Sequence, residues 1–274
     1  GSSTWYSNSS CSTVRTAAIT KPTKTNATFA GFYNTSAASG GTQFIDSSGT
    51  LLARGTVTAP TTLYAQYDCN TGYTGSGTRI SGKCNPIGLT ITLNKNGGSG
   101  ILKTDESQTT GTASAQMLCY YNQPCTLPSW DDTNAEHRNN ITNGQKIFTG
   151  WSTASAVRDG DTGVFTMTFT ANDVVYAVWV QPTCTVTGGH GTCTLRNASQ
   201  NRPTAYFSCN TGYAQTATSS TTGWQQTGTA GATSVVDECV ARQFTCAAGT
   251  YLNGTTCSTC QTLYYCPGGT FTYN

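Results

Sequence analysis

Residues 148–180, FTGWSTASAVRDGDTGVFTMTFTANDVVYAVWV, decide the fold class of this chain. Apolar and hydroxyl side chains alternate in VFTMTFT, and β-branched and aromatic residues fill VVYAVWV after an Asn-Asp turn. A period of two predicts strands with one buried and one solvated face. Residues 89–100, LTITLNKNGGSG, carry the same alternation and end in a glycine turn. Because helical patterns are short and weak, the sequence predicts a mainly β protein.

A second stretch, residues 29–67, repeats the order of motifs found in residues 148–180. Both stretches open with Phe-x-Gly-aromatic, and both close with a Thr-Ala turn followed by apolar-Tyr-Ala-x-aromatic. The shared order predicts a duplicated module. The matched residues are Phe29, Gly31, Phe32, Leu63, Tyr64 and Ala65 in one stretch and Phe148, Gly150, Trp151, Val175, Tyr176 and Ala177 in the other.

These motifs resemble the internalin-type B-repeat, also called the Listeria–Bacteroides repeat. The resemblance rests on a strand ending in NKNGG, a Phe-x-Gly-Trp/Tyr segment and a closing apolar-Tyr-Ala-x-Trp strand. It implies small β-grasp-like modules strung along a bacterial surface protein. The first copy lacks an opening strand, and cysteines within and between the copies depart from the family. The tail, CAAGTYLNGTTCSTCQTLYYCPGGTFTYN (246–274), resembles the cysteine-rich Gly-Thr-Tyr repeats of large surface stalks.

The composition points to cross-links in place of a large core. Charged residues make up only 9% of the chain and the net charge is +2, which excludes the basic patch that nucleic-acid binding requires. Aliphatic residues are scarce, so 13 cysteines and the aromatic residues must supply much of the order. With only two histidines, disulfides are favoured over zinc sites, which predicts an extracellular or cell-surface location. No window of 18 apolar residues exists, so we expect no membrane span in this segment.

The pentapeptide CNTGY occurs at residues 69–73 and again at 209–213. Each copy follows an aromatic-bearing strand pattern and predicts a disulfide-stapled tight turn. One cysteine of the thirteen, Cys11, is left over; it is a candidate for a bond to another chain or to a preceding module, or for a free thiol. The favoured pairs are Cys69 with Cys84, Cys119 with Cys125, Cys184 with Cys193, Cys209 with Cys239, Cys246 with Cys257, and Cys260 with Cys266.

These signals divide the chain into five segments in an elongated arrangement of tandem small modules. We expect a first B-repeat-like module with an incomplete start at 1–68 and a disulfide-stapled connector at 69–84. A second B-repeat-like module follows at 85–181, a cysteine-containing β module at 182–240 and a cysteine-rich tail module at 241–274.

Candidates for chemistry are few. His137 lies in a polar run and His190 in a glycine turn, so both are interpreted as turn or loop residues and not as catalytic bases. The Cys-x-x-Cys at Cys257 and Cys260 suggests zinc or redox work in a cytosolic chain, but structural bridges explain it more simply here. Four aspartates could offer oxygen ligands to calcium, but their spacing does not match a complete calcium-binding loop, so they are interpreted as turn residues: Asp131, Asp132, Asp159 and Asp161. We expect no catalytic site, no cofactor and no metal.

The function expected from the sequence is structural and not enzymatic. Trp151 and Trp179, at strand spacing, are predicted to fill the small core, whereas Tyr120 and Tyr121, in a stapled loop, are candidate ligand contacts. The leading interpretation is a structural segment of an extracellular bacterial surface stalk or filament, associating end to end with itself or with neighbouring modules. The alternative is an adhesin module that binds host glycans or proteins.

Overall fold

The computed structural model describes residues 10, 19–52, 61–80, 82–103, 109–110, 114–130, 141–156 and 161–273. Within these residues the chain consists of short strands, turns and loops, so the mainly β fold predicted from the sequence is confirmed. The first eleven strands are β1 (Ala27–Tyr33), β2 (Gln43–Ile45), β3 (Tyr64–Cys69), β4 (Arg79–Ile80), β5 (Gly88–Asn94), β6 (Leu102–Lys103), β7 (Thr109–Thr110), β8 (Ser114–Tyr120), β9 (Pro124–Thr126), β10 (Ile147–Ser152) and β11 (Thr166–Thr168). The next twelve are β12 (Asp173–Val180), β13 (Thr183–Thr187), β14 (Gly191–Ser199), β15 (Arg202–Cys209), β16 (Tyr213–Ala214), β17 (Gly223–Thr227), β18 (Ser234–Glu238), β19 (Val240–Ala241), β20 (Gln243–Cys246), β21 (Thr250–Asn253), β22 (Thr256–Thr259) and β23 (Gly269–Thr272).

The strands form small separate sheets. The larger ones have the orders β2-β1-β3-β4, β10-β12-β5-β8 and β14-β15-β17, and two-stranded pairs make up the rest: β11-β9, β13-β18, β16-β19, β20-β23, β21-β22 and β6-β7. Sheets of this size enclose little apolar volume, as the scarcity of aliphatic residues leads one to expect.

The chain divides into two compact units. The first contains Gly1–Thr90, Leu118–Cys125 and Thr168–Asn172, and the second contains Ile91–Met117, Thr126–Met167 and Asp173–Asn274. The finer division into five segments stays a prediction. Within the described residues no helix is long and apolar enough to cross a membrane.

The two stretches matched in the sequence have the same strand register. Strand β1 pairs antiparallel with β3, and β10 pairs antiparallel with β12, each with a bulge between the phenylalanine and the glycine of Phe-x-Gly. The duplication seen in the sequence therefore extends to the backbone. The paired residues are Phe29–Tyr67, Gly31–Gln66 and Phe32–Ala65 in the first copy, and Phe148–Trp179, Gly150–Val178 and Trp151–Ala177 in the second.

Fully buried aliphatic side chains of β5 and β12 and a group of aromatic rings form the core of the second copy, where Phe148 packs against both tryptophans. Trp151 and Trp179 are buried, as the sequence predicts. Each indole N–H donates to a backbone carbonyl: Trp151 Nε1 to Pro128 O at 2.9 Å and Trp179 Nε1 to Lys95 O at 2.8 Å. Because the polar edge of each ring is satisfied, the rings are buried without an unpaired donor.

The sheet β14-β15-β17 has one buried and one exposed face. Its buried face stacks Phe207 on Trp224, with ring centroids 5.7 Å apart, above Val235 and the Cys239 half-cystine. Trp224 Nε1 donates to a carboxylate oxygen of Asp237 at 2.9 Å. This small core combines the two aromatic rings with two disulfides and a few aliphatic side chains.

Six disulfides cross-link the chain, and they join the six pairs that the sequence favours. None of the loops overlaps another, so each bridge closes its own short segment. The pairs are Cys69–Cys84, Cys119–Cys125, Cys184–Cys193, Cys209–Cys239, Cys246–Cys257 and Cys260–Cys266. Six bridges indicate folding in an oxidising environment.

Candidate functional site

The first CNTGY copy forms a tight turn at the end of β3. Cys69 is the last residue of that strand, and Tyr73 N donates to Asn70 O at 3.2 Å to close the turn. Gly72 has φ +87°, a left-handed conformation that glycine adopts without a steric penalty. The fourth position of the pentapeptide is therefore glycine for a backbone reason.

A disulfide and two backbone contacts return the chain to this turn. Cys84 is bonded to the cysteine of the pentapeptide, and two residues later Pro86 forms a β-bridge with Tyr73. One residue further on, Ile87 N donates to Gly72 O at 3.0 Å. The segment that follows Cys84 is thereby bonded to Gly72 and Tyr73 of the turn.

A tyrosine from farther along the chain then covers the glycine. Tyr121 N donates to Ile87 O at 3.0 Å, and its ring occupies the space that any side chain on Gly72 would need. The Tyr73 ring meets it edge to face, with centroids 5.5 Å apart. We call this arrangement a tyrosine seat: a left-handed glycine as the floor, the tyrosine of CNTGY as the wall, and a second tyrosine as the occupant.

The second CNTGY copy builds the same seat in the second unit. Gly212 has φ +85°, and its carbonyl accepts a hydrogen bond from Arg242 N at 2.9 Å, three residues after Cys239. Tyr273 N donates to Arg242 O at 2.9 Å, and its ring covers Gly212. Tyr213 is the wall, at 5.7 Å from the Tyr273 ring.

The two joints, each a CNTGY turn with its disulfide and seated tyrosine, agree although their disulfide loops differ in length. The cysteines are 15 residues apart in the first and 30 in the second. In both, the residue two positions after the second cysteine pairs with the wall tyrosine. The length of the disulfide loop therefore differs between the two joints, whereas the turn, the pairing of the segment after the second cysteine and the seated ring are the same.

His190 adds a second ring to the wall of the second joint. Its imidazole stacks on Tyr213, with centroids 3.9 Å apart and planes 10° from parallel. Its backbone carbonyl accepts a hydrogen bond from Asn210 N at 2.8 Å. His190 lies exposed in a turn, as the sequence predicts, and its contacts are those of packing.

A separate polar contact fastens the tip of the β14–β15 hairpin to the edge of β10. The Asn201 side chain accepts from Phe148 N at 2.7 Å and donates to Phe148 O at 2.9 Å. Asn201 is buried and has φ +54°. Its amide imitates one rung of a β-ladder at the bulge, and so caps backbone groups that an edge strand otherwise leaves open.

The two tyrosines predicted as ligand contacts have different surroundings. Tyr120 is 49% exposed, whereas Tyr121 is the occupant of the first seat. Tyr121 thus has a structural use that the sequence does not suggest. Its position gives no sign of this use, because the Gly72 floor lies far away along the chain.

The exposed face of the β14-β15-β17 sheet forms an open groove of about 680 Å³. Arg196 and Arg202 line it together with Tyr206, whose ring the Arg196 guanidinium approaches to 5.6 Å. Amide and hydroxyl side chains of Gln225 and Thr204 complete the polar lining. The groove offers two positive charges, an aromatic face and several hydrogen-bonding groups.

The Cys-x-x-Cys motif of the tail offers no free thiol. Cys257 and Cys260 are both in disulfides, so neither offers a thiolate. Among the described residues, no three potential metal-ligating side chains of His, Cys, Asp or Glu lie together. Five further candidates for chemistry or cross-linking lie outside the described residues: Cys11, Asp131, Asp132, His137 and Asp159.

One carboxylate organises a turn. Asp46 accepts a hydrogen bond from the Ser48 hydroxyl, and its Oδ1 also accepts from the backbone N–H groups of Ser48 and Thr50, each at 2.9 Å. The hydroxyl contact is the main cause that lowers the pKa of Asp46 below its usual value, because these donors favour the charged form. Its role is to hold the loop between β2 and Leu51.

No protein-family model, curated protein sequence or solved structure matches this chain. The resemblance to B-repeats therefore stays a prediction based on the motifs quoted above.

Proposed function

We propose that this chain is a non-enzymatic structural segment of an extracellular bacterial surface stalk or filament. The observation that carries the proposal is the duplicated joint, in which one pentapeptide builds one seat twice in one chain. Repetition of a joint serves a protein that must continue as a series of modules, whereas a catalytic pocket needs no second copy.

The joint is suited to holding modules together under load. In the first copy, Gly72 O binds Ile87 N, and Ile87 O binds Tyr121 N, so three separate segments share one line of hydrogen bonds. The disulfide limits how far the loop between its two cysteines can extend if this line breaks. Opening a joint therefore requires both the backbone line and the seated ring to separate.

The low charge and the disulfides favour an extracellular surface. A hydroxyl-rich surface with few ionic groups, cross-linked by six bridges, tolerates changes of salt and resists local unfolding outside the cell. Self-association end to end or with neighbouring modules of the same long chain fits this role, and Cys11 is the candidate for a covalent link between copies.

Immunogold electron microscopy of the source cells, with antibodies against this chain, tests the proposal. We expect label outside the cell along linear structures, and non-reducing electrophoresis of the extracted material should show species larger than one chain. Label confined to the cell interior, or to dispersed particles without linear order, contradicts the stalk proposal. A Cys11→Ser variant separates covalent linking from other association.

A second candidate function, an adhesin module for host glycans, is favoured by the open groove. A guanidinium such as that of Arg196 or Arg202 binds a carboxylate through two parallel hydrogen bonds, and an aromatic ring such as Tyr206 supplies an apolar platform for a sugar ring. A glycan array comparing the unmodified chain with the Arg196→Ala/Arg202→Ala variant tests it. Binding of acidic glycans that the double variant loses supports this function, and an empty array contradicts it.

A further inference from the structure

A third joint lies in the tail module. Cys246 and Gly249 have the same Cys-x-x-Gly spacing as CNTGY, and Gly249 has φ +87°, as Gly72 has. Thr250 N donates to Ala247 O at 3.1 Å, which closes the turn as in the other two joints. The third copy is hard to recognise in the sequence, because CAAGT shares only the cysteine and the glycine with CNTGY.

The segment that follows the second cysteine of this third turn makes the same contacts as in the other two joints. Cys246 is bonded to Cys257, and the residue two positions later, Thr259, pairs with Thr250. Three positions after Cys257, Cys260 N donates to the Gly249 carbonyl at 2.9 Å. Spacing, register and hydrogen bonds therefore match the first and second joints at each step.

Among the residues that the structure describes, no side chain occupies the third seat. Tyrosine rings cover Gly72 and Gly212, which are both buried, but no atom lies within 4 Å of where a side chain on Gly249 would begin, and Gly249 is exposed. The wall residue is Thr250 in place of tyrosine, which leaves the seat wider. Two filled seats show what kind of group this floor accepts: the flat ring of a tyrosine.

An exposed aromatic loop lies next to the empty seat. The Cys260–Cys266 disulfide closes a loop that displays Leu263, Tyr264 and Tyr265, which are 100%, 73% and 89% exposed. Leu263 has φ +78°, a conformation that a bulky residue rarely adopts. Three adjacent large apolar side chains, held out by a strained and cross-linked backbone, are typical of an interaction surface.

The seat and the loop share their anchor points. Gly249 O accepts from Cys260 N, and Gly249 N donates to Cys266 O at 2.8 Å, so both ends of the loop are bonded to the floor of the seat. A surface that carries a socket and its matching side chain side by side is self-complementary under two-fold rotation.

We propose that two copies of this chain pair through their tails, each placing a tyrosine of its Leu263–Tyr265 loop in the Gly249 seat of the other. The proposal goes beyond the stalk function and rests on the geometry of the seat and the loop. Burying both loops would remove on the order of 1,000 Å² from water, the lower end for a specific interface. The pair is therefore a weak dimer that depends on concentration.

Sedimentation velocity over a hundredfold concentration range tests this pairing, on the Cys11→Ser background so that covalent dimers do not contribute. We expect a reversible monomer–dimer equilibrium. Gly249→Val, which fills the seat, and Tyr264→Ser/Tyr265→Ser, which removes the rings, should each weaken the dimer at least tenfold. Gly254→Val is the matched control: Gly254 has φ +64° and open space in the same module, so it should leave the dimer unchanged.

Mixing the two defective variants gives a sharper test. Each variant alone has no complete contact, but a mixed pair unites the intact loop of Gly249→Val with the intact seat of the tyrosine variant. The mixture should therefore dimerise more strongly than either variant alone. Monomers at every concentration, an effect of Gly254→Val equal to that of Gly249→Val, or a mixture no stronger than its components each overturn the proposal. Circular dichroism and a count of intact disulfides check that every variant is folded.

Discussion

Replacing Gly72 with alanine should open the first joint, because the methyl group and the Tyr121 ring would occupy the same space. The new side chain also meets a left-handed backbone, with φ +87°. Gly77→Ala is the matched control, since Gly77 has φ +73° in the same unit, but a methyl group added there would meet no atom within 4 Å among the described residues. Both variants carry the cost of a left-handed alanine, but only Gly72→Ala displaces the Tyr121 ring from the seat.

The magnitude follows from these two contributions. A left-handed alanine costs about 1–2 kcal/mol, a cost that both variants carry. Displacing the Tyr121 ring adds the loss of an edge-to-face pair, about 0.5–1.5 kcal/mol, and of part of the buried area of a ring, at about 25 cal/mol per Å². The opening free energy of the joint should therefore fall by roughly 1–3 kcal/mol more in Gly72→Ala than in Gly77→Ala.

Amide hydrogen exchange measures this difference locally, without requiring that the whole chain unfold in one step. The amides of Ile87 and Tyr121 donate the two hydrogen bonds that link the three segments of the joint. They should exchange roughly 5- to 150-fold faster in Gly72→Ala than in Gly77→Ala, since 1.4 kcal/mol corresponds to a factor of ten. Equal exchange rates in the two variants would refute the idea that the seated ring holds the joint.

Two further predictions concern polar contacts. Asn201→Gly keeps a left-handed backbone accessible but leaves the buried N–H and C=O of Phe148 unpaired, at about 1–3 kcal/mol each. The Phe148 amide should therefore lose protection from hydrogen exchange, whereas the control Gln200→Gly, at φ +51°, should leave that protection unchanged. Unchanged protection in Asn201→Gly would contradict the contact between Asn201 and Phe148. For Asp46, whose pKa is lowered on folding, the turn is stabilised above the pKa of the unfolded chain, and this stabilisation is lost as pH falls through the lower folded value. NMR of the Thr50 amide should show a transition with its midpoint below the ordinary value of about 3.9, absent in Asp46→Asn, and a midpoint at or above that value would contradict the contact.

The strands could be predicted from the sequence because alternation and β-branched residues report directly on a half-buried sheet. The cysteine pairs could also be predicted, since each bridge joins two cysteines with no other cysteine between them in the sequence. The bulge shared by Phe29 and Phe148 could be anticipated from the repeated Phe-x-Gly, because a glycine at the same place in two strands marks the same irregularity.

The seats could not be predicted, because their occupants are distant in the sequence and look like ordinary tyrosines. The sequence places Tyr121 in a stapled loop, which favours a ligand contact, and only the fold brings its ring over Gly72. The third joint was hidden for another reason: Gly249 keeps the backbone requirement, but CAAGT has lost the residues that make CNTGY recognisable. Backbone conformation is retained here more strictly than side-chain identity.

The contact between Asn201 and Phe148 shows a third reason why part of the structure could not be predicted from the sequence. An asparagine at a hairpin tip is compatible with a left-handed turn, and Asn201 has φ +54°. Nothing in the local sequence says that its amide will reach the backbone of Phe148, because that contact depends on where an edge strand of another sheet lies.

The central claim, that each joint is closed by its own local disulfide, can be tested by stretching single chains from end to end before and after reduction. The six loops have separations of 15, 6, 9, 30, 11 and 6 residues, which total 77, and each bridge spans 5.5–6.1 Å between Cα atoms. At roughly 3.3–3.6 Å per residue, reduction should lengthen the fully extended chain by about 22–24 nm. No change in length would mean that the thiols are free, and a much larger gain would mean that cysteines pair across modules; either result contradicts the account.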